Sequence, residues 1–345
     1  MHYSIRIEPR LFHFKQQAHT SRGSYSVRPS WFIHLSSDAD DYTGVGECAP
    51  LPDLSCDAHP AEGYEPVLRK FCTRFEQEGL IPFDEMGDFP SMLFGLESAV
   101  QNYRLKSFRL FDTPFSRGEE GITINGLIWM GRFDEMMERI KEKIEKGFTC
   151  IKIKIGSIDF QDEITLLRYI RSRFSVQSME IRLDANGAFS GHNVLSRLEQ
   201  LAPFGIHSIE QPVRAGQWDL MADVCNQSPI PIALDEELIG ITTTVEKERL
   251  LNQIRPQYII LKPSLHGGMY GTKQWIDLAR ARNIGFWFTS ALESNIGLNA
   301  IAQWSALCNQ EERPLLPQGL GTGQLFTDNI PFPLQIKKDK LWFTD

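Results

Sequence analysis

From about Ile122 onward, the sequence alternates short β-branched runs with long amphipathic stretches at a nearly constant spacing. The runs end near Gly126, Lys154, Asp184, Glu210, Asp235, Lys262, Ser290 and Gly319, so successive ends lie 28, 30, 26, 25, 27, 28 and 29 residues apart. A strand with its covering helix needs roughly 30 residues, and eight such units are what a (β/α)8 barrel of the TIM type requires. The intervening stretches read as helices. Phe133 to Lys146 starts after Gly131 and stops at Gly147, and Asp162 to Arg173 places Ile164, Leu167 and Ile170 on one stripe. A doubly wound sheet is the competing architecture, but eight near-equal units favour closure.

The segment before the repeat has a different grammar. Short alternating stretches, Tyr3 to Ile7 and Trp31 to Leu35, sit among turn-rich segments, and helices are predicted near Pro66 to Glu78 and Ser91 to Arg104. The division expected is a small α+β domain over 1–105 and a barrel over 106–329. A tail over 330–345 returns to the first domain as a hairpin built from Leu334 to Ile336 and Leu341 to Phe343.

The chemistry lies where barrel strands break their apolar pattern. Ile151-Lys152-Ile153-Lys154-Ile155 alternates strictly, which sends three isoleucines to the helices and both lysines into the barrel. Two inward ammonium groups are costly unless anions meet them. The next three strands end in Arg182-Leu183-Asp184-Ala185-Asn186, Ile209-Glu210-Gln211 and Leu234-Asp235-Glu236, with Arg182, Asp184 and Asn186 on one face. Each carboxylate alone reads as a helix N-cap. Three in succession at the catalytic rim of a barrel, beside a lysine pair, read as ligands of a hard cation. Magnesium suits them best, with manganese as the alternative. The sixth strand adds Lys262, across the ring from Lys154, so two ammonium groups flank whatever binds between them.

That set suits proton removal beside a carboxylate. The proton is too weakly acidic for an unaided lysine, and a cation on the carboxylate with fixed positive charge around it lowers the cost. The lysine must be neutral to act, which desolvation and neighbouring cations promote.

Composition excludes other classes. Lys and Arg number 36 against 44 Asp and Glu, a net charge of −8, and no long basic run offers a nucleic-acid surface. The six cysteines lack paired spacing and read as free thiols. Met1 to Arg6 carries no signal-like apolar core and no run reaches membrane-spanning length, so a cytoplasmic location is expected. Oligomeric state is not legible. Gly267-Gly268 and Gly319 to Gly323 match no full phosphate motif. His207 and His266 read as packing residues, and Trp275, Trp287 and Trp304 as core.

Together, Lys152-Ile153-Lys154, the Asp184, Glu210 and Asp235 trio and Lys262 resemble the enolase superfamily, over nearly the whole chain. Gly46-Glu47-Cys48-Ala49-Pro50-Leu51-Pro52, Arg182 to Asn186, Ser290 to Leu298 and Gly319-Leu320-Gly321-Thr322 are similar to motifs of its o-succinylbenzoate synthases, enzymes of menaquinone biosynthesis. The resemblance implies a modified (β/α)7β barrel under an N-terminal capping domain. It implies magnesium on Asp184, Glu210 and Asp235, Lys154 as the proton-transfer residue, Lys262 as a cation and Lys152 beside them. The implied reaction is syn dehydration of the small-molecule carboxylate 2-succinyl-6-hydroxy-2,4-cyclohexadiene-1-carboxylate to 2-succinylbenzoate. Arg182, Asn186, Ser290, Ser294, Gly319 and Gly321 are candidate substrate contacts.

The same lysines would serve an N-acylamino acid racemase or dipeptide epimerase. However, Pro317 to Phe326 lacks the acidic pair expected to hold a dipeptide's ammonium. A silent scaffold barrel and a Schiff-base aldolase using Lys262 are further alternatives that leave the carboxylate trio without a purpose. Thr20 to Ser24, with Arg22 and Gly23, is expected to form a lid, and Leu51 to Leu54 an apolar wall.

Overall fold

The computed structural model describes residues 2–19, 23–312 and 314–344. Three antiparallel strands open the chain: β1 (Tyr3–His19), β2 (Ser24–Ser37) and β3 (Asp40–Cys48). They pair in that order, and α1 (Tyr64–Glu78) and α2 (Pro90–Leu105) pack on one face. The first two strands run much further than the stretches predicted. Their burial changes phase: Ile5 and Ile7 face the helices of the cap, whereas Phe12 and Phe14 join a second apolar cluster with Leu265, Ala291, Leu292 and Phe326. A strand that buries one face and then the other breaks the period-two signal at the switch.

After β4 (Ile122–Thr123) come the barrel units. The strands are β5 (Gly126–Ile128), β6 (Cys150–Lys154), β7 (Glu180–Asp184), β8 (Ser208–Glu210), β9 (Ile232–Leu234), β10 (Tyr258–Leu261) and β11 (Gly285–Phe288). They are followed in turn by α3 (Phe133–Glu145), α4 (Phe160–Arg171), α5 (Val194–Leu201), α6 (Trp218–Gln227), α7 (Thr244–Ile254), α8 (Gly268–Arg280) and α9 (Asn295–Cys308). All seven strands are parallel and adjacent in sequence order. Closure is made by two residues: Gly319 bridges Thr289 beyond β11, and Gln318 bridges Ile124 before β5, both parallel. A described α-helix follows each of the seven strands, and only a short 3-10 turn (Thr322–Gln324) follows the closing pair, the (β/α)7β arrangement. The first strand reaches Ile128 instead of ending near Gly126.

The tail divides its pairing. Residues 325–327 return to the capping domain, through Lys15 N to Leu325 O at 2.8 Å and Thr327 N to His13 O at 2.9 Å. The hairpin of β12 (Leu334–Lys337) and β13 (Lys340–Phe343) pairs instead with β4, at the entrance to the barrel.

Two capping-domain side chains dock on barrel helices. Glu47, fully buried, accepts from Ser294 N at 3.0 Å, Ser294 Oγ at 2.6 Å and Gly297 N at 2.9 Å, at the start of α9. Glu97 accepts from Met269 N and Tyr270 N at 2.6 and 2.9 Å, at the start of α8. A helix N-terminus offers unpaired N–H groups and a positive dipole end, so a carboxylate is its natural partner. Gly46 lets β3 lie close on α2, since a Cβ there would collide with the Gly95 carbonyl of α2. No helix among the described residues is long and apolar enough to cross a membrane.

Candidate active site

The ends of the barrel strands and Leu51 and Leu54 of the capping domain enclose a cavity of about 500 Å³. Its polar lining includes Lys152, Lys154, Asp184, Asn186, Glu210, Asp235, Glu236 and Lys262, while Trp129, Ala291, Leu292 and Leu325 supply apolar wall. Register explains the convergence. Lys154 pairs directly with Asp184 and Asp184 with Glu210, so neighbouring strands present these groups side by side.

The ammonium groups sit among the carboxylates. Lys152 Nζ lies 3.0 Å from Asp184 Oδ2 and 2.6 Å from Glu210 Oε2. Lys154 Nζ donates to Asp184 Oδ2 at 3.0 Å and to Asn186 Oδ1 at 2.7 Å, and it lies 5.7 Å from the centre of the Trp129 ring. Lys262 Nζ meets Asp235 Oδ2 at 2.5 Å. Burial would lower the Lys152 and Lys262 pKa values, but the facing carboxylates, led by Asp184 for Lys152 and Asp235 for Lys262, hold both above the ordinary lysine range. Burial would raise Asp184, and the Lys152 and Lys154 charges hold it below the ordinary carboxylate range. Glu210 goes the other way: burial and then the Asp184 charge push it well up.

The carboxylates have capacity to spare. Glu210 Oε1 and Asp235 Oδ1 are buried without a hydrogen-bond partner, a costly state for a carboxylate oxygen. Asp184, Glu210, Asp235 and Glu236 stand together on the cavity wall beside Lys152, Lys154 and Lys262. Three all-oxygen donors with unmet acceptors fit a hard divalent cation. No closed cage of three such donors is formed among the described residues; Lys152 and Lys262 stand against Asp184, Glu210 and Asp235 instead.

Other expected residues divide. Ser290, Gly319 and Gly321 line the cavity, and the Ser290 and Thr322 hydroxyls are 2.5 Å apart. Asn186 lines it too, with its amide held between Lys154 and Glu236. Arg182 and Ser294 do not line it. Arg182 points into the barrel but one layer below Asp184, where it meets Glu180 at 2.6 Å, Pro317 O at 2.8 Å and the Trp287 ring at 4.1 Å. Two residues along a strand is ~7 Å of depth, enough to move a side chain from mouth to floor. Ser294 caps α9 and is sealed beneath Glu47. His266, pushed down to about 3 by burial, accepts from the Lys262 backbone N–H at 3.0 Å. His207 precedes β8, at the opposite end of the barrel. Trp275 is core, Trp304 packs against it, and Trp287 is buried under the cavity. Thr20, Ser21 and Arg22 of the expected lid lie outside the described residues; Leu51 and Leu54 form the wall expected of them.

Sequence reasoning passed over Trp129, Glu236 and Arg28. Trp129 stands just past the true end of the first strand, so placing that end near Gly126 hid it. Glu236 is masked by its neighbour Asp235. Arg28, fully buried, hydrogen-bonds the carbonyls of Ala49, Pro50, Ala291 and Leu292, pinning the cap's wall to the loop after β11.

Known proteins share the fold and family of this chain. Residues 135–339 match the family model described as enolase C-terminal domain-like. The chain is 46% identical to an o-succinylbenzoate synthase of Desulfotalea psychrophila, with 94% of each chain covered. It superposes on the crystal structure of MenC from that organism with a TM-score of 0.84 at 41% identity, over 99% of this chain and 100% of the other. An L-Ala-D/L-amino acid epimerase of Maribacter is 29% identical, over 87% of this chain and 86% of the relative.

Proposed function

The chain belongs to the enolase superfamily and, within it, to the o-succinylbenzoate synthases, and we propose how its own residues carry out the dehydration of 2-succinyl-6-hydroxy-2,4-cyclohexadiene-1-carboxylate. The observation that carries the reading is the meeting of Lys154 and Lys262, from the second and sixth barrel strands, in one cavity with three carboxylates between them.

Enzymes of this superfamily depend on a divalent metal. Asp184, Glu210 and Asp235 would hold it here, with magnesium as the ion. Bound there, the ion would supply positive charge that offsets the negative charge developing on the substrate carboxylate as the ring proton leaves.

Lys154 takes the proton from the ring carbon bearing the carboxylate. It then returns this proton to the hydroxyl on the adjacent carbon, on the same face, and water departs with the C–O bond's electron pair. Carrying one proton on one nitrogen keeps the exchange local, which is what a dry pocket walled by Leu51, Leu54 and Trp129 favours. The ring becomes aromatic, which makes the step downhill. Lys262 stays protonated against Asp235 and faces the developing anion as a fixed cation. Lys152 stands between Asp184 and Glu210 and offsets part of their negative charge in a buried place.

The succinyl tail extends toward Ser290, Gly319 and Gly321. The stretch 317–326 that borders this end contains no carboxylate, which favours an anionic tail over a dipeptide's ammonium. The test is loss of diene absorbance with mass confirmation that water has left, in protein supplied with magnesium. Turnover that stops with chelator supports the reading. No turnover by folded, magnesium-loaded protein, with solvent deuterium entering the α-carbon of N-succinylamino acids, replaces it with the racemase reading.

A further inference from the structure

Asn186 and Glu236 form a link between the two lysines that the proposed mechanism leaves unused. Asn186 follows β7 in the left-handed region, φ 44°, a conformation asparagine tolerates better than most residues. That turn carries its side chain across the cavity mouth. Its Oδ1 accepts from Lys154 Nζ at 2.7 Å, and its Nδ2 donates to Glu236 Oε1 at 3.1 Å. An ammonium only donates and a carboxylate only accepts, so one orientation of the amide satisfies both neighbours. Glu236 and Lys262 line the same cavity. Asn186 and Glu236 both line the cavity, and Glu236 is 8% exposed.

Two hydrogen-bond acceptors among the described residues fix Lys154 Nζ, Asp184 Oδ2 and Asn186 Oδ1, and Asn186 is itself fixed by Glu236. A lysine has four rotatable bonds, and a misplacement of about 1 Å at the reacting atom can cost on the order of 10²-fold in rate.

We propose that Asn186 and Glu236 act as one positioning unit, an amide–carboxylate bridge that aims the Lys154 amine at the substrate and ties its placement to the Lys262 side of the barrel. The unit orients the base and does not hold substrate. The proposal rests on Lys154 being the proton-transfer residue.

The test is a double-mutant cycle with a structural arm. Asn186→Ala and Glu236→Ala are each expected to lower kcat about tenfold with KM within a factor of about two. The double variant should fall no further than the worse single one, since both break one link. Glu236→Gln keeps an acceptor oxygen for the Asn186 amide and is expected to recover most of the loss. Additive losses, or a rise in KM with kcat intact as a substrate contact would give, overturn the bridge. The structural arm does not depend on turnover: in crystals of Glu236→Ala, the Asn186 oxygen is expected to leave Lys154 Nζ. If it stays within hydrogen-bond distance, the bridge is wrong. If wild-type protein does not dehydrate the diene, the base assignment has failed, and the crystals still decide whether Glu236 positions Asn186.

Discussion

Glu210 is the carboxylate on which the proposed cation site rests most heavily. Its carboxylate is buried beside Asp184, with one oxygen facing Lys152 and the other without a hydrogen-bond partner. Magnesium is therefore expected to raise the melting temperature of the wild-type protein, since a ligand at about 100 times its Kd stabilises by roughly 2.7 kcal/mol. Glu210→Gln should remove that rise in a thermal melt with and without the ion; an unchanged rise would mean the cation sits elsewhere. The residues around Glu210 were legible because lysines and acids do not belong at the ends of buried parallel strands. Arg182 satisfied the same criterion and was misread. Alternation reports which face a side chain takes and is silent on depth, and this guanidinium belongs to the barrel floor.

Among elements, the barrel was read from spacing and the capping domain only in outline. Seven units repeat one plan, so each strand supports the assignment of the next. The closing strand has two bridging residues and no α-helix, and was found only because it keeps the period. β1 and β2 switch the face they bury partway along, which cut the prediction to their first stretches. The hairpin of β12 and β13 was recognised from its turn, but its partner, β4, was too short to announce itself. The joint between the domains was invisible for another reason: Arg28 recognises four carbonyl oxygens, and backbone carries no sequence signal. Arg28→Met should therefore cost about 3 kcal/mol or more, because buried acceptors lose their donor. Urea denaturation is the check, and a loss under about 1 kcal/mol would mean the fork is ornamental.

For the whole molecule, cap and barrel are held by carboxylates set on helix N-termini, and one of these makes docking depend on pH. Glu97 is pushed up to about 8 by burial, against its two backbone donors. A carboxyl whose pKa is raised in the folded state stabilises it fully below the unfolded value, and that contribution is lost as pH rises through about 8. Stability should thus decline between about pH 5 and pH 8, and Glu97→Gln, which cannot titrate, should flatten the decline in melting temperature. An equal slope in both proteins would remove Glu97 as its source. The capping domain adds Leu51 and Leu54 to the wall of the cavity that holds Lys154. The most direct measurement is kcat for Lys154→Ala on the cyclohexadiene, with product affinity measured by calorimetry. The account expects kcat to fall roughly 10³-fold, within the range for losing a positioned acid–base group, while product still binds. A variant that turns over within tenfold of wild type would contradict it.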